Sequence, residues 1–352
     1  MEFLAGNRIR GTTAEKATLV PVVTGTGGWK EVARTTLGSA TSTIDVSSIP
    51  DKRYYMVLMD YTQTSDFAGL HRLGNSTIDG GNNYHNRQSS NGATDATSQA
   101  TYVRLDNGWQ SGDRKLVVEY IANLASKEKL IMNHMARSVT TGTGQIPQRS
   151  EVVSKWSNTS NVLDKFQMMN GGNYASGSEV VVLGWDEDDT HTTNFWEELA
   201  SVELSTTNGT LDSGIFTAKK YLWVQVYLNA TSAVEQRMRF NSDSGSNYSF
   251  RFSSNGATDG TAINDSNMLV GNGGISKPSF TNIFIINNSA NEKLAISHNV
   301  YQNSTGAGTA PDRFEAVNKW ANTSSQITSI QLFNASGGVY QSGSMIKVWG
   351  HD

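Results

Sequence analysis

The chain has 352 residues, a formal net charge of −4 and 17% charged residues, which is length enough for two ordinary domains, each with its own core. No basic face of the kind that binds nucleic acid is visible, and the absence of cysteine excludes disulfides and thiolate metal sites. The longest apolar runs are strand-sized, such as residues 180–183 and 283–286, and too short for a membrane-crossing helix, so no membrane insertion is expected.

Residues 1–28 open with MEFLAGNRIRGTTAEK, which lacks the basic-then-apolar layout of a secretory signal. They show no sustained periodicity and have no counterpart later in the chain. They read either as a frayed terminus or as an extended N-terminal arm, in which Phe3, Leu4 and Ile9 would be the apolar residues that anchor it to a neighbouring subunit or larger assembly. From Trp29 onward the chain is written twice. The heptapeptide SSNGATD occupies residues 89–95 and again 253–259. Around it Trp29 aligns with Trp196, Tyr54 with Tyr221, His134 with His298, and the Lys155-Trp156 pair with Lys319-Trp320. The unit is about 155 residues, far longer than a solenoid or propeller repeat.

Copy 1 spans residues 29–186, a linker 187–195, and copy 2 residues 196–352. Residues 221–228 alternate Tyr221, Trp223, Gln225 and Tyr227 against Leu222, Val224, Val226 and Leu228, a period of two with one firmly apolar face. Strands near 116–121 and 280–286 turn at 123–127 and 287–291 and return over 130–135 and 294–300. Gly171-Gly172 and Gly337-Gly338 make the last hairpin turns. About eight strands per copy, with long loops and no helical period, predict an all-β chain of two tandem homologous antiparallel β-sandwiches of jelly-roll type. The unit is too long for an immunoglobulin-like sandwich. SSNGATD suits a tight turn that needs positive φ, and its retention in both copies fits either that fixed turn geometry or a ligand or subunit contact. The linker, EDDTHTTNF, is short and polar, which predicts two domains lying end to end with limited freedom.

Candidate chemistry is sparse. His134 and His298 each lie on a strand with an Arg-x-Glu nearby (Arg149 and Glu151, Arg313 and Glu315). Without a close ligand cluster they read as structural imidazoles rather than duplicated catalytic sites. The acidic run Asp186, Glu187, Asp188 and Asp189 and the loop 241–247 are oxygen-rich enough to weigh for calcium. The first has no matching cluster after Asp352, and the second lacks a terminal bidentate Glu, its counterpart at 74–83 keeping little of the pattern. No metal, other cofactor or enzymatic activity is expected. Trp156 and Trp320 have two readings, a core residue with its indole N–H bonded or an exposed platform for a sugar. Residues 141–144, Thr-Gly-Thr-Gly, are not followed by Lys-Ser/Thr, so they are no phosphate loop.

The opening MEFLAGNRIRGTTAEK, the segment WEELASVEL, the NxxxxEKL turns and the closing strands GSEVVVLGWD and GSMIKVWGHD resemble tandem β-domain proteins of tailed phages and uncultured marine viruses. These are generally taken as virion structural components. The resemblance runs over the whole chain but ties no residue to a chemistry. It implies a virion location and partners among other capsid or tail proteins. The expected role is a capsid decoration protein or a head or tail fibre subunit, acting as a homo-oligomer, most simply a trimer. The alternatives are a double jelly-roll major capsid protein and a module that binds a host-surface glycan or receptor.

Overall fold

The computed structural model describes residues 2–4, 8–10, 28–106, 111–187, 189–230, 234–273, 277–302 and 304–352. No helix occurs among them, and the chain folds as two tandem antiparallel β-sandwiches. In the arm, Glu2–Leu4 and Arg8–Arg10 pair as a small antiparallel ribbon. The side chains of Phe3, Leu4 and Ile9 lie outside the described part.

Copy 1 runs from Lys30–Thr36 to Glu179–Trp185 and copy 2 from Glu197–Glu203 to Met345–His351. Each is an eight-stranded sheet backed by a smaller one, and the chain crosses repeatedly between the two. In copy 1 the centre of the large sheet is the run of neighbours Tyr54–Thr62, Arg114–Ala122, Lys129–Arg137 and Gln148–Trp156. In copy 2 it is Tyr221–Leu228, Ser279–Ile286, Lys293–Tyr301 and Asp312–Trp320. Strands outnumber the eight expected per copy because short, polar edge segments such as Ala96–Ala100 and Gly260–Asp265 pair without any apolar alternation to announce them. The inner faces enclose one core per sandwich. Val57, Tyr84, Val117, Trp156, Phe166 and Val180 fill the first, and Val224, Tyr248, Ile283, Trp320, Leu332 and Ile346 the second.

The expected end-to-end arrangement is wrong. The outer faces of the two large sheets pack against each other, so the molecule is four layers deep. Met56, Leu58, Val118, Phe284, Ile296 and Val317 belong to one apolar cluster between the sheets. The physical reason lies in the strands themselves. A strand with one wet face must alternate apolar and polar residues, but a strand buried on both faces reads as a continuous apolar run. Tyr54–Thr62 (YYMVLMDYT) is such a run, buried at each of its seven interior positions, and so are residues 180–183, all 0% exposed. The linker lets the second sheet fold back onto the first, with Phe195 and Trp196 entering the shared cluster.

SSNGATD forms the same turn twice. Asn91 and Gly92 have φ of 53° and 73°, and Asn255 and Gly256 repeat those values. Only residues that tolerate the left-handed region fit there. The Ser89 and Ser253 hydroxyls donate to the Ala93 and Ala257 carbonyls at 2.7 and 2.8 Å.

The interiors of the two sandwiches differ. In copy 1 His71 Nε2 lies 2.9 Å from Glu119 Oε2, and Lys115 Nζ lies 2.9 Å from Asp106 Oδ2, all four side chains fully buried. Lys115 also donates to Gln63. Strand register makes Met238 the equivalent of His71, Ile283 of Glu119 and Ser279 of Lys115. Copy 2 replaces the charges with a neutral network, in which Gln236 donates to Ser279 at 2.7 Å and accepts from Thr281 at 2.9 Å.

Candidate functional site

Trp156 and Trp320, the candidate sugar platforms, are each 1% exposed. Enclosed on both faces, neither ring can receive a ligand, so the platform reading is corrected to a core role. Each indole N–H donates to a carboxylate at 2.7 Å, Asp79 for Trp156 and Asp243 for Trp320. The same aspartates accept from Gly81 and Gly245 and from Asn83 and Asn247. Burial pushes both carboxyls up, but these bonds outweigh it and hold them below the usual aspartate range. The loops 74–83 and 241–247 thus share one Asp-x-Gly-x-Asn pattern, which a single deletion in the alignment obscured. Their oxygens are engaged by the loop and the tryptophan. The Lys of each EKL turn completes the corner: Lys129 Nζ donates to the Leu124, Lys127 and Asn158 carbonyls, and Lys293 Nζ to those of Asn291 and Asn322. Asp189 of the acidic linker pairs with Lys52, and Glu187 with Arg53. Asp188 lies outside the described residues.

His134 and His298 meet at the joint between the sheets, ring centroids 4.3 Å apart. Burial lowers both imidazoles, His298 to about 3, with its histidine neighbour and Arg149 adding to its fall. Glu151 and Glu315 stand opposite them in the strand register. Burial raises Glu151 to about 7, against the pull of Arg149 and with a push from Glu315. The pair is a packed element of the joint.

Polar contacts rim that joint. Arg149 makes a bidentate pair with Asp259 of the second SSNGATD, at 2.8 and 3.1 Å, and reaches Glu315 at 3.2 Å. Arg251 holds Asp259 from its own copy at 3.3 Å. The Thr-Gly loop 138–147 of copy 1 lies over the start of strand Lys293–Tyr301. Lys319 Nζ donates to the Ser138 and Thr140 carbonyls at 3.0 and 3.1 Å, and Glu292 accepts from the Gly142 N–H. At the other side Glu179 accepts from Lys220 and the Tyr221 hydroxyl, both at 2.9 Å. Charge-assisted bonds that are this buried fix one register between the copies.

Coverage by the joint is one-sided. Along the outer face of strand Lys129–Arg137, Leu130 and Met132 are 60% and 45% exposed, whereas Ala136 is fully covered. Along the equivalent Lys293–Tyr301 the order reverses: Leu294 and Ile296 are 0% and 3% exposed, and Val300 is 44%. The neighbours follow suit, with Val153 open against a buried Val317, and Phe280 and Tyr227 open against a buried Leu116 and Asp60. The uncovered half of copy 1 is a groove of about 1100 Å³ lined by Trp29, Tyr54, Tyr120, Leu130, Met132 and Trp185. This groove is an apolar surface that the joint leaves unfilled, and it is the candidate functional site. Sequence reasoning missed it, although the apolar outward positions 130, 132 and 153 were there to be read.

No protein-family model matches the chain, and no curated protein matches it. Among solved structures, domains LG4-5 of the mouse laminin alpha1 chain align at 9% identity, covering 92% of this chain and 90% of theirs, with a TM-score of 0.19. A triple jelly-roll protein from the turret of an archaeal virus aligns at 10% identity, covering 100% and 98%, with a TM-score of 0.15. At these scores neither likeness carries an argument about function.

Proposed function

We propose that the chain is a virion structural subunit, a capsid decoration protein or a head or tail fibre component, displayed on the particle surface and attached through the arm of residues 1–28. The observation that carries this reading is the joint. Two copies of one sandwich are locked by a buried apolar layer and a bidentate Arg149–Asp259 pair, and each leaves open the half of its face that the other buries. Such a surface is suited to building assemblies. The whole-chain sequence resemblance to viral β-domain proteins supports the setting.

The test is particle occupancy. Full-length chain and a variant lacking residues 1–28 are each added to particles stripped of the protein, and bound copies are counted by quantitative mass spectrometry. The reading expects the full chain to saturate the particle and the truncated chain, still folded by circular dichroism, to remain in solution. Equal occupancy of both chains would remove the arm from the account. Failure of the full chain to bind would remove the virion role.

A further inference from the structure

The groove of copy 1 has a counterpart whose occupant is known. In copy 2 the equivalent surface (Tyr221, Phe284, Leu294, Ile296 and Val317) is buried under the opposite half of a sandwich, the end of copy 1 that carries Leu116, Ala136, Arg149 and the loop 138–147. One surface of that second type is still open in the chain. It is the end of copy 2 that carries Phe280, Val300, Arg313 and the loop beginning at Gln302. We infer that this end of one chain docks into the copy 1 groove of another, repeating between chains the joint that each chain already makes within itself. This goes beyond the virion reading and stands on the duplicated surfaces alone.

The correspondence holds residue by residue. Within the chain Arg149 grips Asp259, which Arg251 holds from behind at 3.3 Å. Between chains Arg313, the equivalent of Arg149, would grip Asp95, which Arg87 already holds from behind at the same 3.3 Å. Arg313 and Asp95 are 62% and 50% exposed. Among the described residues Arg313 pairs with Glu315 of its own copy, at 3.6 Å, so the cation and its receiver both face solvent. Within the chain Lys319 and Glu292 receive the carbonyls and the Gly142 N–H of the Thr-Gly loop. Between chains Lys155 and Glu128, held together at 2.9 Å, would receive the loop that contains Gly306. Gly306 matches Gly142 in position and in backbone, with φ of 83° against 90°. The apolar layer would be Leu130, Met132 and Val153 against Phe280 and Val300. The correspondence breaks at two places: the His134–His298 contact is already made within each chain, and Asp60 and Glu179 are replaced by Tyr227 and Met345. The second joint therefore lacks the Lys220 ion pairs and is more apolar there.

Because the two docking surfaces differ, the contact is heterologous: it runs head to tail and closes into a ring or grows as a filament. That asymmetry makes it testable by charge reversal at two exposed side chains, with circular dichroism of each variant checking that the fold is kept. Sedimentation velocity of the full chain over a range of concentrations is expected to show reversible association. Asp95→Arg alone and Arg313→Asp alone should each weaken it about tenfold or more. A 1:1 mixture of the two variants restores opposite charges at both kinds of joint, the native Arg313 and Asp95 at one and the reversed pair at the other, and should associate as the parent does. The chain carrying both reversals should associate again. A wild-type chain that stays monomeric throughout, or one whose association ignores both reversals, would overturn the proposal. So would single variants that still dimerise alone. None of these outcomes touches the particle-occupancy test, which probes the arm.

Discussion

Strands Lys129–Arg137 and Lys293–Tyr301 are the same element in two copies, yet they present opposite ends to solvent: Leu130 and Met132 in the first, Val300 in the second. Nothing in their own alternation explains this, since both are apolar at each of these outward positions. What differs is the company each end keeps. The covered end of copy 1 meets Lys220, Lys319 and Asp259, whereas the open end faces no such set. Two equal apolar faces can be covered unequally when the polar rim stabilises one register, and the half left over becomes a surface for assembly.

The largest expected effect comes from placing the same charge on both sides of the comparison. Val317→Asp buries a carboxylate without a partner in the closed joint and should cost about 4 kcal/mol or more. Val153→Asp, its equivalent in the open half, should change stability by no more than about 0.5 kcal/mol. Urea unfolding of the two variants measures the contrast, and equal costs would mean that both halves are covered.

A second comparison concerns the interiors. Lys115→Met leaves Asp106 buried and unpaired, so it should cost about 3 kcal/mol. Ser279→Ala at the equivalent site of copy 2 removes only a neutral hydrogen bond and should cost about 1 kcal/mol. The tryptophan corners, by contrast, should behave alike. Trp156→Phe and Trp320→Phe each leave a carboxylate short of one donor, for about 2 kcal/mol apiece. Unequal losses there would break the equivalence of the copies.

The smallest expected effect is on the pH profile. The histidine pair is held below the unfolded value of 6.5, so the unfolded chain takes up protons that the joint refuses, and stability falls as pH drops from about 6.5 toward 3. Glu151 has the opposite sign. Raised to about 7, it binds a proton in the folded state first, which adds stability as pH falls from about 7 to 4.5. The two slopes partly cancel between 6.5 and 4.5. Glu151→Gln removes the opposing one and should steepen the acid loss in that window by roughly 1 kcal/mol per pH unit. Thermal midpoints of the variant and the parent, taken at several pH values, test this.

Much of the fold was legible. The repeated heptapeptide located the two sandwiches, and its Asn-Gly pair announced a left-handed turn that both copies adopt. The stacking was not read, although its signal was present. The run YYMVLMDYT and residues 180–183 are apolar at consecutive positions, the mark of a strand buried on both faces. The length of residues 180–183 excludes a membrane helix, and the lack of alternation in both runs marks them as lying between two layers. The joint escaped for another reason. Arg149, Asp259 and Glu315 are far apart in sequence, and only the folded sheets bring them together. The tryptophans misled because a retained Lys-Trp pair looks the same whether the ring is a platform or a core residue. The difference lay in Asp79 and Asp243, 77 positions upstream of each.

The measurement that tests the one-sided joint most directly is hydroxyl-radical footprinting of the dilute chain, read residue by residue by mass spectrometry. The account expects rapid labelling of Leu130, Met132 and Val153 and protection of Leu294, Ile296 and Val317. Equal labelling of the two sets would contradict it.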